Sequence, residues 1–193
     1  MAPLQNASAF LVQSLFDIFL LILLLRFVLQ YLRVDYYNPF TQFVVKASSP
    51  VVVPLRKVIP GLWGIDFATL IAIIAFTSLK VCLVMYISLH KFPSMTGVAI
   101  WSLGEIFNLT INLFFYSILL SVILSWVAPL THSPIAPILY RLTEPLMKPV
   151  RKVIPPIAGF DISPIPVMIV LQLLKILVAD PLTQTGFQFG IRS

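Results

Sequence analysis

The sequence predicts an all-α membrane protein: four transmembrane helices from two tandem, parallel two-span repeats, with short interfacial or re-entrant helices in the two connecting loops. Three observations predict it. The composition is too apolar for a water-soluble chain, four apolar runs are long enough to cross a bilayer, and the chain matches itself at a fixed offset.

Of 193 residues, 59% are hydrophobic and 10% charged, with a mean hydropathy of +1.00. A soluble protein carries about 25% charged residues. Outside the apolar runs only two loops of roughly 30 residues and short ends remain, too little polar chain to enclose a soluble core. Function is therefore expected in the membrane or at its surface, and a soluble catalytic domain is excluded.

The first run extends from Ala9 to Leu32. It lacks a basic leader, exceeds the apolar core of a cleavable signal and carries Asp17 and Arg26, so it reads as a span. The second covers Phe67 to Leu89 and the third Val98 to Val127. The fourth is short, residues 164–179, because Asp161 and Asp180 are expected to bound it.

Displacing the sequence by 95 positions superposes Pro39, Pro50 and Pro54 on Pro134, Pro145 and Pro149. The run Arg56-Lys57-Val58-Ile59-Pro60 falls on Arg151-Lys152-Val153-Ile154-Pro155, Gly64 and Asp66 on Gly159 and Asp161, and Lys80 on Lys175. The units are residues 1–95, with a basic loop at 33–66, and 96–193, with a basic loop at 128–163. Each has an even number of spans, so both insert the same way round. Arg33, Lys46, Arg56, Lys57, Arg141, Lys148, Arg151 and Lys152 all lie in the two long loops. The positive-inside rule places both loops in the cytoplasm.

Proline removes a backbone donor and disfavours helix before it, so neither long loop is expected to be one long helix. Thr41 to Ser48 and Pro137 to Leu142 are expected as short helices in the interface or dipping into it. Arg56, Lys57, Arg151 and Lys152 are candidates for contact with anionic headgroups or an acidic partner. The plain account is that they fix topology and snorkel. Asp66 and Asp161 are expected as helix caps, with Ser163 an alternative cap that would leave Asp161 to pair with Arg151 or Lys152.

Charges within spans are costly, about 2.5–3.5 kcal/mol on an insertion scale, and so require partners or a water path. Asp17 and Arg26 are nine residues apart, ~180° around a helix, and cannot pair with each other. Depth along antiparallel spans matches Asp17 to Lys80. In the second unit Asn112 replaces Asp17, and Glu105, one helical face with Asn108 and Asn112, is expected to pair with Lys175. These pairs either hold helices in register or take part in conduction or proton relay.

Little else points to chemistry. The single cysteine, Cys82, reads as a packing residue; His90 and His132 have no triad or metal-ligand spacing around them. No phosphate loop or HExxH occurs, so no enzyme activity, cofactor or metal is expected. Trp63, Trp101, Trp126, Tyr31, Tyr36 and Tyr37 lie near span ends, as in an interfacial belt. The net charge of +6 sits beside the spans, favouring anionic lipid and not nucleic acid as partner.

The doubled P-x-R-K-x-I-P core followed by G-x-D resembles the YggT/YlmG family. The matching residues are Pro54, Arg56, Lys57, Ile59, Pro60, Gly64 and Asp66, then Pro149, Arg151, Lys152, Ile154, Pro155, Gly159 and Asp161. The resemblance implies a small protein of the bacterial cytoplasmic (inner) membrane, linked in some bacteria to osmotic-stress tolerance and potassium uptake. It also implies an alternative, a scaffold or assembly factor for division, nucleoid organisation or membrane-complex biogenesis, including haem attachment, acting with other membrane proteins or as an oligomer. No Cys-x-x-Cys-His pattern makes this chain itself a haem carrier.

Overall fold

The computed structural model describes residues 2–61, 64–127, 135–154 and 161–191. Trp63, His132, Pro134, Pro155 and Gly159 lie outside them, as does the side chain of Trp126. The described chain forms α1 (Ala2–Tyr31), α2 (Pro39–Val58), α3 (Phe67–Leu89), α4 (Met95–Val127), α5 (Ala136–Val153), α6 (Pro164–Leu174) and α7 (Asp180–Ile191), with a π-helical turn at Lys175–Ala179 joining the last two. Four stretches are long and apolar enough to span a membrane: Pro3–Tyr31, Phe67–Leu89, Met95–Ser125 and Pro164–Ile191. Their outer faces carry apolar side chains such as Leu15, Ile18, Ile169 and Leu177, all exposed as lipid contact requires.

The fourth span is longer than the sequence suggested. Asp180 does not end it: the helix widens into the π turn after Leu174 and continues to Ile191. Asn108 donates to Asp180 Oδ1 at 3.2 Å, so this acid is accommodated within the bundle. Close packing against α4 holds the extension. A Cβ added at Gly97 would sit 2.6 Å from Gly190 Cα, and one at Gly104 2.6 Å from Thr183 N. Without side chains there the two backbones touch, as small-xxx-small faces allow between membrane helices. Trp101 and Phe187 pack edge to face across the same contact, their rings 5.2 Å apart.

The loops also differ from expectation. Each holds one continuous helix, 20 residues in α2 and 18 in α5, running through Pro50 and Pro54 and through Pro145 and Pro149. An interior proline costs roughly 3 kcal/mol. Burial offsets it: Thr41, Val44, Ser48 and Val52 form an inward stripe in α2, and a buried Val contributes about 1.5–3 kcal/mol relative to water. In α5, Leu139, Thr143 and Met147 are buried at the positions equivalent to Val44, Ser48 and Val52. One residue before the Lys46 carbonyl that Pro50 leaves without its helical donor, the Val45 carbonyl accepts from Ser49 Oγ at 2.5 Å, Ser48 Oγ at 3.1 Å and Arg26 Nη1 at 3.2 Å. Hydroxyls and a guanidinium thus gather on the backbone beside the first proline and tie α2 to α1 there.

The two connectors meet at one end of the bundle. Leu29 of α1, Val44 of α2 and Ile138 of α5 form one buried cluster. Beneath it Leu20, Leu23, Leu24 and Val28 pack with Val52, Ala68, Ala72, Ile73, Leu113 and Leu142, so both repeats share one core. Ile111, Ile118, Met147, Val167, Leu171 and Ala179 form a second core within repeat two.

Candidate functional site

Three charged clusters organise the bundle. In the first, Lys80 is buried on α3, and its Nζ lies 2.8 Å from Asp17 Oδ1 and 2.5 Å from Glu105 Oε2. Helix α4 is pinned beside α3 by Ser78 and Ser102, whose hydroxyls are 3.2 Å apart. Glu105 lies one turn along α4 from Ser102, on the same face and so towards α3. The expected Glu105–Lys175 pair is therefore not formed: Glu105 turns to the other repeat's lysine, and its second oxygen accepts from Trp101 Nε1 at 3.3 Å. Among the described residues Lys175 has no ion-pair partner.

Asp17, Lys80, Glu105 and Lys175 all border a cavity of about 710 Å³ between the repeats. Gln13, Asn108 and Asn112 add amides, while Leu20, Leu21, Leu25, Ile138, Leu139 and Leu142 make the wall apolar towards the connectors. Asp17 is 44% exposed, so one carboxylate of the triad remains accessible.

The second cluster lies where α2 returns to α3. Asp66 caps α3, accepting from the Thr69 N–H at 3.3 Å. It is 2% exposed and also accepts from Arg56 Nη2 at 2.5 Å, with Arg26 Nε 4.0 Å away. Arg56 also donates to Gln30 at 2.7 Å, tying α2 to α1. Arg26 is buried and donates to Ser48 Oγ at 2.8 Å, so its partners lie in α2 and ahead of α3, across the sequence from Asp17. Burial raises the Asp66 carboxyl, but the Arg56 and Thr69 hydrogen bonds outweigh it and hold it below the usual carboxylate range.

Repeat two builds the same corner with the opposite charge balance. Arg151 Nε donates to Asp161 Oδ2 at 2.9 Å and Nη1 to Glu144 Oε2 at 3.1 Å. Ser121 occupies the position of Arg26, and Glu144 that of Ser49. Two arginines face one acid in repeat one; one arginine faces two acids in repeat two. Asp161 does not cap α6: Ser163 occupies the cap position ahead of Pro164, and Asp161 accepts from the Ser163 N–H at 3.0 Å and from its hydroxyl. Burial again raises the carboxyl, and Ser163 and Arg151 lower it further than that. Lys57 and Lys152 point outward, beside Val58 and Val153, each 80% exposed. Glu144 and Gln30 were missed from sequence, and Asp180 was read there only as a span boundary. Pairing of Asp161 with Arg151 was one of the sequence alternatives; for Arg56 and Asp66 only the same ten-residue spacing hinted at it.

Four apolar helices, a doubled connector and a buried lysine held by two carboxylates define an integral membrane protein with internal repeats. The CCB3/YggT family matches it twice, over residues 5–87 and 100–182, so the chain belongs to that family. The two matches are displaced by 100 − 5 = 95 residues, the offset of the internal repeat. A Pseudomonas aeruginosa protein is 40% identical over 183 residues, 94% of this chain and 93% of its own. The YggT protein of Escherichia coli K12 is 36% identical over 184 residues, 94% of each chain. A Vibrio alginolyticus protein is 36% identical over 185 residues, 95% of this chain and all of its own. All three are described as uncharacterised. No solved structure matches the chain significantly.

Proposed function

We propose that this protein serves osmotic-stress tolerance or ion homeostasis, potassium included, as a non-enzymatic multi-pass protein of the bacterial cytoplasmic membrane, with both basic connectors on the cytoplasmic side. The observation that carries the reading is the Asp17–Lys80–Glu105 triad on the wall of an intramembrane cavity. Charges at that depth are retained against a desolvation cost, and an accessible carboxylate beside an ammonium gives a small ion a polar place to rest. The clustering of cations in the connectors supports the orientation.

Proteoliposomes test it. Reconstituted protein is expected to give a concentration-dependent flux of rubidium or another small ion, reduced when Lys80 is replaced by Met. Flux equal to that of protein-free vesicles would overturn the reading.

A second reading, a membrane scaffold working through lipids or partner proteins, rests on the outward faces of the connectors. Lys57 with Val58 and Lys152 with Val153 present matching cation and apolar pairs at one end of the bundle. Absence of flux together with partners that co-purify only while these cations are intact would favour it.

A further inference from the structure

Lys80 and Lys175 are repeat equivalents, yet they face different chemistry. Lys80 has two carboxylates. The copy of Asp17 in repeat two is Asn112, and Glu105 is already committed to Lys80. Gly97 opposite Gly190, Gly104 opposite Thr183 and Asn108 opposite Asp180 set α4 and α7 antiparallel and in register. Lys175 precedes Asp180 by five residues, so it lies ~7 Å nearer the connectors, at the level of Asn112. It borders the cavity there, near the middle of its span, at the start of the π turn. π turns recur at functional sites.

A cation at that depth calls for an anion, and among the described residues no carboxylate oxygen lies within 4.0 Å of Lys175: Asp17 and Glu105, on the same cavity wall, are bonded to Lys80. The surroundings restrict what that anion is. Beyond Lys175 the wall is mostly hydrocarbon, with Leu20, Leu21 and Leu25 on one side and Leu139 and Leu142 on the other, and with Tyr116 and Ser117 of α4 as its polar members. Leu21, Ile18, Tyr116 and Leu120 line the cavity and are exposed, so it communicates with the surroundings of the bundle, which in a bilayer are acyl chains. About 710 Å³ falls within the ~300–1,000 Å³ range of sites that hold one small ligand, which suits a single chain better than a two-chain phospholipid.

We infer that the cavity is a binding site for a single-chain acyl carboxylate, its head group on Lys175 and its chain against the leucines of α1 and α5. The ligand supplies to repeat two the carboxylate that Asp17 supplies to repeat one. This goes beyond the ion reading and does not depend on flux.

The test is binding of the fluorescent fatty acid parinaric acid to the full-length protein in phosphatidylcholine nanodiscs. Saturable binding is expected, displaced by oleate but not by oleyl alcohol or acetate. Lys175→Gln is expected to weaken it about tenfold or more, the scale of one lost ion pair in a water-poor site, while Lys175→Arg retains it. Leu21→Trp fills the apolar wall and is expected to abolish binding with Lys175 intact, which keeps the test open should Lys175→Gln fail to fold. Unchanged binding by Lys175→Gln, equal displacement by oleyl alcohol, or loss of binding when the nanodisc is phosphatidylglycerol would each overturn the assignment.

Discussion

Glu105 of the second repeat reaches across the bundle to Lys80 of the first, Oε2 to Nζ 2.5 Å, so the charge that neutralises one unit comes from the other. Asp17 completes the triad from within the first unit. The triad therefore joins α1, α3 and α4, and its removal reports on how the repeats are held together.

Lys80→Met should destabilise the protein by about 3–5 kcal/mol, the cost of removing one partner of a buried pair and leaving its carboxylates unmatched. Lys175→Met removes a cation with no ion-pair partner among the described residues and should change stability by less than about 1 kcal/mol in ligand-free detergent. Thermal unfolding of the purified variants checks both. Equal losses would contradict the asymmetry between the repeats.

Acid sensitivity should centre on the two corners. Asp66 and Asp161 have carboxyls lowered in the folded state, so unfolding takes up protons below the ordinary aspartate range. Their contribution is present in full above the unfolded pKa, about 3.9, and fades as pH falls through the lower folded values. The thermal midpoint should drop over that window, and the Asp66→Asn, Asp161→Asn double variant should show a shallower drop. An unchanged slope would remove these carboxylates as its source.

Gly104→Leu should disrupt the α4–α7 contact, because even a Cβ there would lie 2.6 Å from Thr183 N. Overpacking of this kind costs about 1–3 kcal/mol. Gly64, at φ +83°, has open space around it, so Gly64→Ala should cost only the left-handed backbone penalty, about 1–2 kcal/mol. A proteolysis comparison should show cleavage near the end of α7 in Gly104→Leu alone.

Much of this architecture was legible in the chain because its signals are local or periodic: apolar runs and the 95-residue offset. Asp17 opposite Lys80 followed from depth alone, since antiparallel spans convert sequence distance into height. What failed depended on lateral packing. Depth cannot say which neighbour a side chain faces, and Glu105 faces α3 because Ser78 and Ser102 meet there. The connectors were read as broken because the cost of an interior proline was weighed without the burial of Val44, Ser48 and Val52 that offsets it. Asp180 looked like a boundary because its partner, Asn108, lies 72 positions away. The glycines at 97, 104, 186 and 190 were the overlooked sign that the last helix continues.

The central claim is that a doubled hairpin presents α2 and α5 at the same end of a membrane bundle. Cysteines introduced singly at Lys57 and Lys152, in a Cys82→Ser background, can be reacted with a membrane-impermeant maleimide in right-side-out and inverted vesicles. Both should label from the same face, and only from that face. Labelling of the two positions from opposite faces would contradict the account.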